Sequence, residues 1–177
     1  MRNFLRLMQN AGVQPTIASL MRQPELWDTD TVRTTITNGP HSQISDILLR
    51  FGPPDLSTLQ CRDLPAMRDI FGAKMLSLDV MRLVNGDQLG RVIITRLKPG
   101  GKIAPHADEG EYAEFYSRYH LVLQGLPGSL FRCGDETIQM LTGELWWFDS
   151  HLEHEVINNS QDDRIHMIID ARVSPGC

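Results

Sequence analysis

The chain has 177 residues, 41% of them hydrophobic and 22% charged, with a formal net charge of −5. That length carries one ordinary core and not two, so a single domain over 1–177 is expected. The acidic balance argues against nucleic acid as the main partner, because phosphate contacts need a basic surface.

Met1 to Met8 carries two arginines but no long apolar run behind them, which predicts neither a signal peptide nor a membrane span. Cys61, Cys133 and Cys177 are far apart and form no CxxC pair, so free thiols in a reducing cytoplasm are expected. In chain order, the spacings of Leu5 with Met8 and of Ile17 with Leu20 predict short helices over 3–11 and 16–23, the second bounded by Pro15 and Pro24 with Thr16 as its N-cap. A polar stretch follows, ending in the turn signal Asn38-Gly39-Pro40. Residues 43–51 read as a strand with Asp46 and Arg50 on one face beside His41, either lining a pocket or forming a surface ion pair on a sheet edge. Gly52-Pro53-Pro54 breaks the chain. Met67, Ile70, Phe71, Met75, Leu78 and Met81 recur at helical spacing over 64–84 as a core-facing stripe, which Gly72 is placed to split and Asn85-Gly86 to end.

From Gly90 the period changes to two. Strands are predicted at 91–98, 102–107, 117–124, 129–133, 136–141, 144–148, 153–158 and 164–172, separated by glycine turns. Eight short strands at this spacing mean a sandwich or a barrel, with 1–87 as a helical support for a core over 88–173.

His106 and Asp108 are two apart at a predicted strand end and so share a face. His154 lies on a later strand, with His151 three positions earlier as its alternative. Two histidines and one carboxylate are the ligand set of a non-haem Fe(II) site that keeps positions open for a 2-oxo acid and O₂. Arg164 and His166 share one face of the last strand, opposite Ile165, Met167 and Ile169. Arg118 and His120 share a face in the same way. An inward arginine needs a partner, and a bidentate carboxylate suits it. That partner is either a bound dicarboxylate or an internal acid such as Glu111, Glu114 or Asp170. A cupin-type isomerase using another metal would not need Arg164, and a structural zinc site would normally be closed by four ligands where three are counted.

At these residues the chain resembles the aspartyl/asparaginyl β-hydroxylase family of Fe(II)/2-oxoglutarate oxygenases. The resemblance runs over about 88–173. It includes Lys98-Pro99-Gly100 before Pro105-His106, Arg118-Tyr119-His120-Leu121, Gly143-Glu144, Phe148-Asp149, His154-Glu155-Val156, and Arg164 leading to Ile169-Asp170. It implies a mainly β fold with N-terminal helices, the double-stranded β-helix or cupin-like jelly roll. It implies Fe(II) on His106 and His154, with Asp108 completing the triad that the animal members lack. It implies 2-oxoglutarate on Arg164, assisted by Thr95, with Arg118 and His120 near its metal-proximal carboxylate, and O₂ as oxidant. His166 stands where an apolar residue is usual. With Trp147 and Arg50 it is placed in the substrate pocket. The expected partner is a small-molecule or peptide substrate, and no membrane is expected.

Overall fold

The structure is a computed structural model that describes residues 2–33, 39–52 and 59–174. Asn38, Pro53, Pro54 and Cys177, which figure in the sequence reading, lie outside the described residues. The chain opens with strand β1 (Phe4–Met8) and not with the expected helix. The spacing of Leu5 and Met8 fits a helix, but Phe4 pairs across from Phe148 and buries its ring between two sheets. Tertiary pairing therefore overrides a weak local signal.

Helix α1 (Gln14–Met21) follows, and Val13, not Thr16, holds the N-cap position. Pro15 sits in the first turn, where its missing N–H costs nothing. A 3₁₀ turn at Pro24–Leu26 leads towards β2 (Ile44–Phe51) and the two-residue β3 (Arg62–Asp63).

The helix expected over 64–84 is two helices, α2 (Pro65–Asp69) and α3 (Ala73–Leu83). Gly72 separates them with a φ of 82°, a left-handed conformation that disfavours any side chain. A Cβ at that position would also lie 2.6 Å from the Thr16 hydroxyl. The apolar stripe is only partly core. Met67 and Ile70 are buried, whereas Phe71 and Met75 are each 68% exposed. The buried face of α3 is made instead by Ala73, Ser77 and Val80.

The remaining strands are β4 (Gln88–Leu97), β5 (Lys102–His106), β6 (Ser117–Gln124), β7 (Ser129–Cys133), β8 (Glu136–Ile138), β9 (Leu145–Phe148), β10 (His154–Asn158) and β11 (Arg164–Arg172). A short helix, α4 (Glu111–Phe115), lies between β5 and β6. All strand pairs are antiparallel, in a seven-stranded sheet ordered β1-β9-β6-β11-β4-β2-β3 and a four-stranded sheet ordered β5-β10-β7-β8. The N-terminal third thus supplies strands as well as helices to the main sheet.

Alternation along the strands divides the apolar residues into two cores. Ile47, Leu49, Val92, Ile94, Tyr119, Leu121, Met167 and Ile169 point outward and pack with Val13, Leu20, Met67, Ile70 and Val80 of the helical region. Phe4, Leu97, Val122, Phe148, Phe131 and Val156 fill the space between the sheets. Arg164, His166 and Asp170 alternate with the outward residues of β11 and so face the inside. The interior of this jelly roll is therefore part apolar and part strongly polar, and the polar part holds the site.

Candidate metal centre and anion pocket

β5 and β10 are neighbours, and their register sets His154 directly across from His106. The two rings lie 4.3 Å apart between centroids. Asp108 follows just beyond β5, where its N–H donates to the Ser150 carbonyl at 2.8 Å. The ligand atoms of His106, Asp108 and His154 all fall within 4.8 Å of one another.

Both imidazoles are oriented by one local device. Nδ1 of His106 lies 2.8 Å from the Ala104 carbonyl, and Nδ1 of His154 lies 2.9 Å from the Leu152 carbonyl. A carbonyl only accepts, so each Nδ1 carries the proton and each Nε2 presents a lone pair. Burial, foremost, holds the His154 pKa below the usual histidine value, which keeps the ring neutral and able to bind a cation. For Asp108 burial pushes the other way, but the Arg118 charge and the two imidazoles bring its pKa below the ordinary carboxylate value. Two neutral nitrogens and one carboxylate, converging and oriented before any ion arrives, fit a divalent transition metal.

Asp108 is itself held. Arg118 Nη1 donates to it at 2.6 Å, while Nε and Nη2 of the same guanidinium grip Asp170 at 2.9 and 3.2 Å. The Tyr112 hydroxyl donates to Asp170 at 3.1 Å, which ties α4 into the same chain of contacts. Of the two partners open to Arg118 in the sequence, the structure records the internal acid Asp170, together with Asp108.

Arg164 lies on the inner face of β11 and is 3% exposed. Among the described residues its one hydrogen-bond acceptor is Nδ1 of His166, at 3.1 Å from Nη2. Burial pulls its pKa down to about 9, and among the described residues no carboxylate pairs with it. Phe131 packs 5.8 Å below the guanidinium and 6.0 Å from His154, so the arginine and the metal ligands share one interior. Nδ1 of His120 approaches Nδ1 of His166 at 3.2 Å, and burial holds both rings well below the usual histidine pKa. Thr95 and Asp46 stand in register with His166 across β4 and β2, on the same inner face.

Two residues expected in the pocket lie elsewhere. Trp147 points outward with Leu145, against the helix-covered core, while Trp146 and Phe148 face inward. Arg50 pairs with Asp63 at 2.7 Å and with the Leu89 carbonyl, far along β2 from Asp46. His151 is 57% exposed, leans on Asp149, and stands outside the ligand cluster.

The partner of Asp46 is Arg33, at 2.8 Å, which sequence reasoning did not find. The sequence left Asp46 either in a pocket or in a surface ion pair; it is 2% exposed, and its cation comes from outside the strand. His41 lies beside them, its ring 5.0 Å from that of His106. Burial, then the nearby Arg33, drives its pKa down to about 3, and its Nδ1 has no hydrogen-bond partner among the described residues.

Two antiparallel sheets enclosing a His-x-Asp…His cluster define the class of metal-binding jelly rolls with an open coordination side. Within that class the chain belongs to the aspartyl/asparaginyl β-hydroxylase family, whose sequence pattern matches residues 58–173. The match begins some thirty residues before the stretch whose motifs carry the resemblance. A curated relative, L-proline cis-4-hydroxylase of Rhizobium meliloti (strain 1021), is 27% identical over 135 residues, covering 76% of this chain and 45% of the relative. The chain thus spans a little under half the length of that relative. Two solved structures share the fold over 96% of this chain. One is a prolyl hydroxylase from Trichoplax adhaerens in complex with a hypoxia inducible factor oxygen degradation domain peptide fragment (TM-score 0.68, 11% identity, 83% of that chain). The other is an oxidoreductase of the 2OG-Fe(II) oxygenase family from Burkholderia pseudomallei (TM-score 0.65, 12% identity, 85% of that chain).

Proposed function

We propose that this chain is an Fe(II)- and 2-oxoglutarate-dependent hydroxylase of a free amino acid. The observation that carries the reading is Arg164, a buried cation with no acid beside it among the described residues, in the same interior as a ready His-Asp-His cluster. An unpaired buried charge is costly, and a ligand carboxylate relieves it. A cupin-type isomerase would give that arginine no role.

His106, Asp108 and His154 would hold the iron, and Arg164 with Thr95 would receive the distal carboxylate of 2-oxoglutarate. The bound pair, with O₂, would supply an oxidant able to hydroxylate an unactivated C–H bond, 2-oxoglutarate leaving as succinate and CO₂. The work of the chain is orientation. The Ala104 and Leu152 carbonyls aim the two Nε2 lone pairs, and Arg118 keeps Asp108 charged and in place. Phe131 and Phe148 pack against His154 and exclude water from the interior side.

Support for an amino acid comes from Arg33, Asp46 and His41. Arg33 and Asp46 form an ion pair that the two charges of a zwitterion could exchange with, and His41 beside them is a neutral ring adjoining His106. The named activity of the curated relative makes L-proline the first compound to try. Among the described residues no helix is long and apolar enough to cross a membrane. The free thiols Cys61 and Cys133 fit a reducing cytoplasm.

The test is a screen of free amino acids, with a proline-containing peptide as a separate arm, for stimulation of succinate formation from 2-oxoglutarate with added Fe(II). Stimulation by a free amino acid supports the reading. Stimulation by the peptide alone moves the substrate class to peptides, and no succinate under any condition removes the oxygenase assignment.

A further inference from the structure

The arginine that awaits the co-substrate is not free to turn. Its Nη2 lies 3.1 Å from Nδ1 of His166, and both side chains are buried, at 3% and 1% exposure. A guanidinium has no acceptor, so this contact exists only if Nδ1 of His166 offers a lone pair. That fixes the tautomer of His166 with its proton on Nε2. His120, whose Nδ1 is 3.2 Å from the same nitrogen, then approaches it as a donor. Arg164 and His120 thus converge on one imidazole nitrogen and share its single lone pair, the cationic guanidinium being the stronger donor.

The arrangement has an evident cost. Nε2 of His166 is buried without a hydrogen-bond partner among the described residues. An apolar side chain would pack there without it, as Val122 does in the register position next to it on β6. What the imidazole provides and an apolar residue does not is an acceptor for Arg164.

We propose that His166 is a positioning residue for co-substrate binding: its Nδ1 lone pair anchors one nitrogen of the Arg164 guanidinium and turns the remaining N–H groups towards an incoming carboxylate. His166 acts through Arg164 and stands outside the His106, Asp108 and His154 cluster. Without it the guanidinium has no acceptor among the described residues and only the face of Phe131 to lie on. The proposal rests on the 2-oxoglutarate reading above and concerns the end of the molecule remote from the metal.

The test titrates two acids into anaerobic protein loaded with Mn(II): 2-oxoglutarate, and 2-oxobutanoate, which has the same metal-chelating head and no distal carboxylate. The parent binds 2-oxoglutarate more tightly. In His166→Leu, 2-oxoglutarate binding weakens roughly tenfold, the scale of one hydrogen bond to a charged group. Binding of 2-oxobutanoate and of Mn(II) is unchanged. His166→Asn, which returns an acceptor oxygen, recovers most of the loss. Equal weakening of both acids, or unchanged 2-oxoglutarate binding in His166→Leu, overturns the proposal. A parent that does not prefer 2-oxoglutarate removes the co-substrate reading itself, and the proposal with it. Should His166→Leu not fold, ring ¹⁵N spectra of the unmutated Zn(II) protein decide. They place the His166 proton on Nε2 if the proposal holds, and a proton on Nδ1 overturns it.

Discussion

The two halves of the site are built on opposite terms. Every part of the metal cluster has its partner before a metal arrives: two imidazoles on carbonyls, and Asp108 on Arg118, which also rests on Asp170. In the proposed anion pocket, by contrast, Arg164 has one acceptor and His166 an unpartnered nitrogen among the described residues. The first half has low reorganisation cost and is ready to coordinate. The second is destabilised without a ligand, and that imbalance is a driving force for binding one. The polar interior thus separates a preorganised site from an unsatisfied one, and mutations should affect them differently.

The largest effects are expected at the ligands. His106→Ala or His154→Ala should abolish Fe(II) binding and turnover, whereas His151→Ala should leave both nearly intact; metal stoichiometry measures this. A dead His151→Ala with an active His154→Ala would reassign the third ligand.

Next comes Arg164, where the contrast shows most clearly. Truncating one partner of a buried charge pair typically costs ~2–5 kcal/mol. At ~1.4 kcal/mol per decade, Arg164→Ala should weaken 2-oxoglutarate binding roughly 30-fold to several thousand-fold while Fe(II) affinity holds. Arg164→Met should in addition make the ligand-free protein more stable by about 1 kcal/mol or more, because it removes an uncompensated buried charge. A melting temperature that falls would mean that Arg164 has a stabilising partner in the free protein.

Smaller losses are expected in the supporting chain. Asp170→Asn should leave the ligands in place but loosen Arg118 and Asp108, lowering metal affinity by about 10–100-fold, the usual effect of disturbing the groups behind metal ligands. Metal affinity equal to the parent would make the Arg118–Asp170 pair purely structural.

The last effect, on folding and not on the reaction, is a pH dependence. The pKa of His41 is depressed in the fold, from 6.5 to about 3. Its neutral burial is compatible with folding above the unfolded value. As pH falls below 6.5 the unfolded chain takes up a proton that the folded one refuses, so stability declines until about pH 3. One such group contributes at most ~1.4 kcal/mol per pH unit. Urea denaturation of the metal-free protein at pH 7 and pH 5 should show the decline, to which the buried His120, His154 and His166 add in the same direction, and His41→Gln should make it shallower. An equally steep decline in the variant would trace it to other groups.

Much of this was legible in the sequence because the relevant signals are local. The strands from β4 onward follow from period-two alternation and glycine turns, and His106 with Asp108 from their i, i+2 spacing. What was hidden depends on tertiary choices. β1 carries a helical spacing but pairs with β9. The apolar run Leu145–Phe148 has no polar residue to show which face is inward, and a one-residue shift in parity moved Trp147 from pocket to outer core. Asp46 was open between a pocket and a surface ion pair, and it is buried against Arg33, which reaches it from a segment with no periodicity.

The most direct measurement is a titration of 2-oxoglutarate into anaerobic Fe(II)-loaded protein, followed by the visible charge-transfer band of the chelate. A saturable band in the parent, lost in His154→Ala and shifted to much higher concentration in Arg164→Ala, is the predicted result. No band in the parent, or an Arg164→Ala curve that overlays it, would contradict the assignment of this interior to an iron and a 2-oxo dicarboxylate.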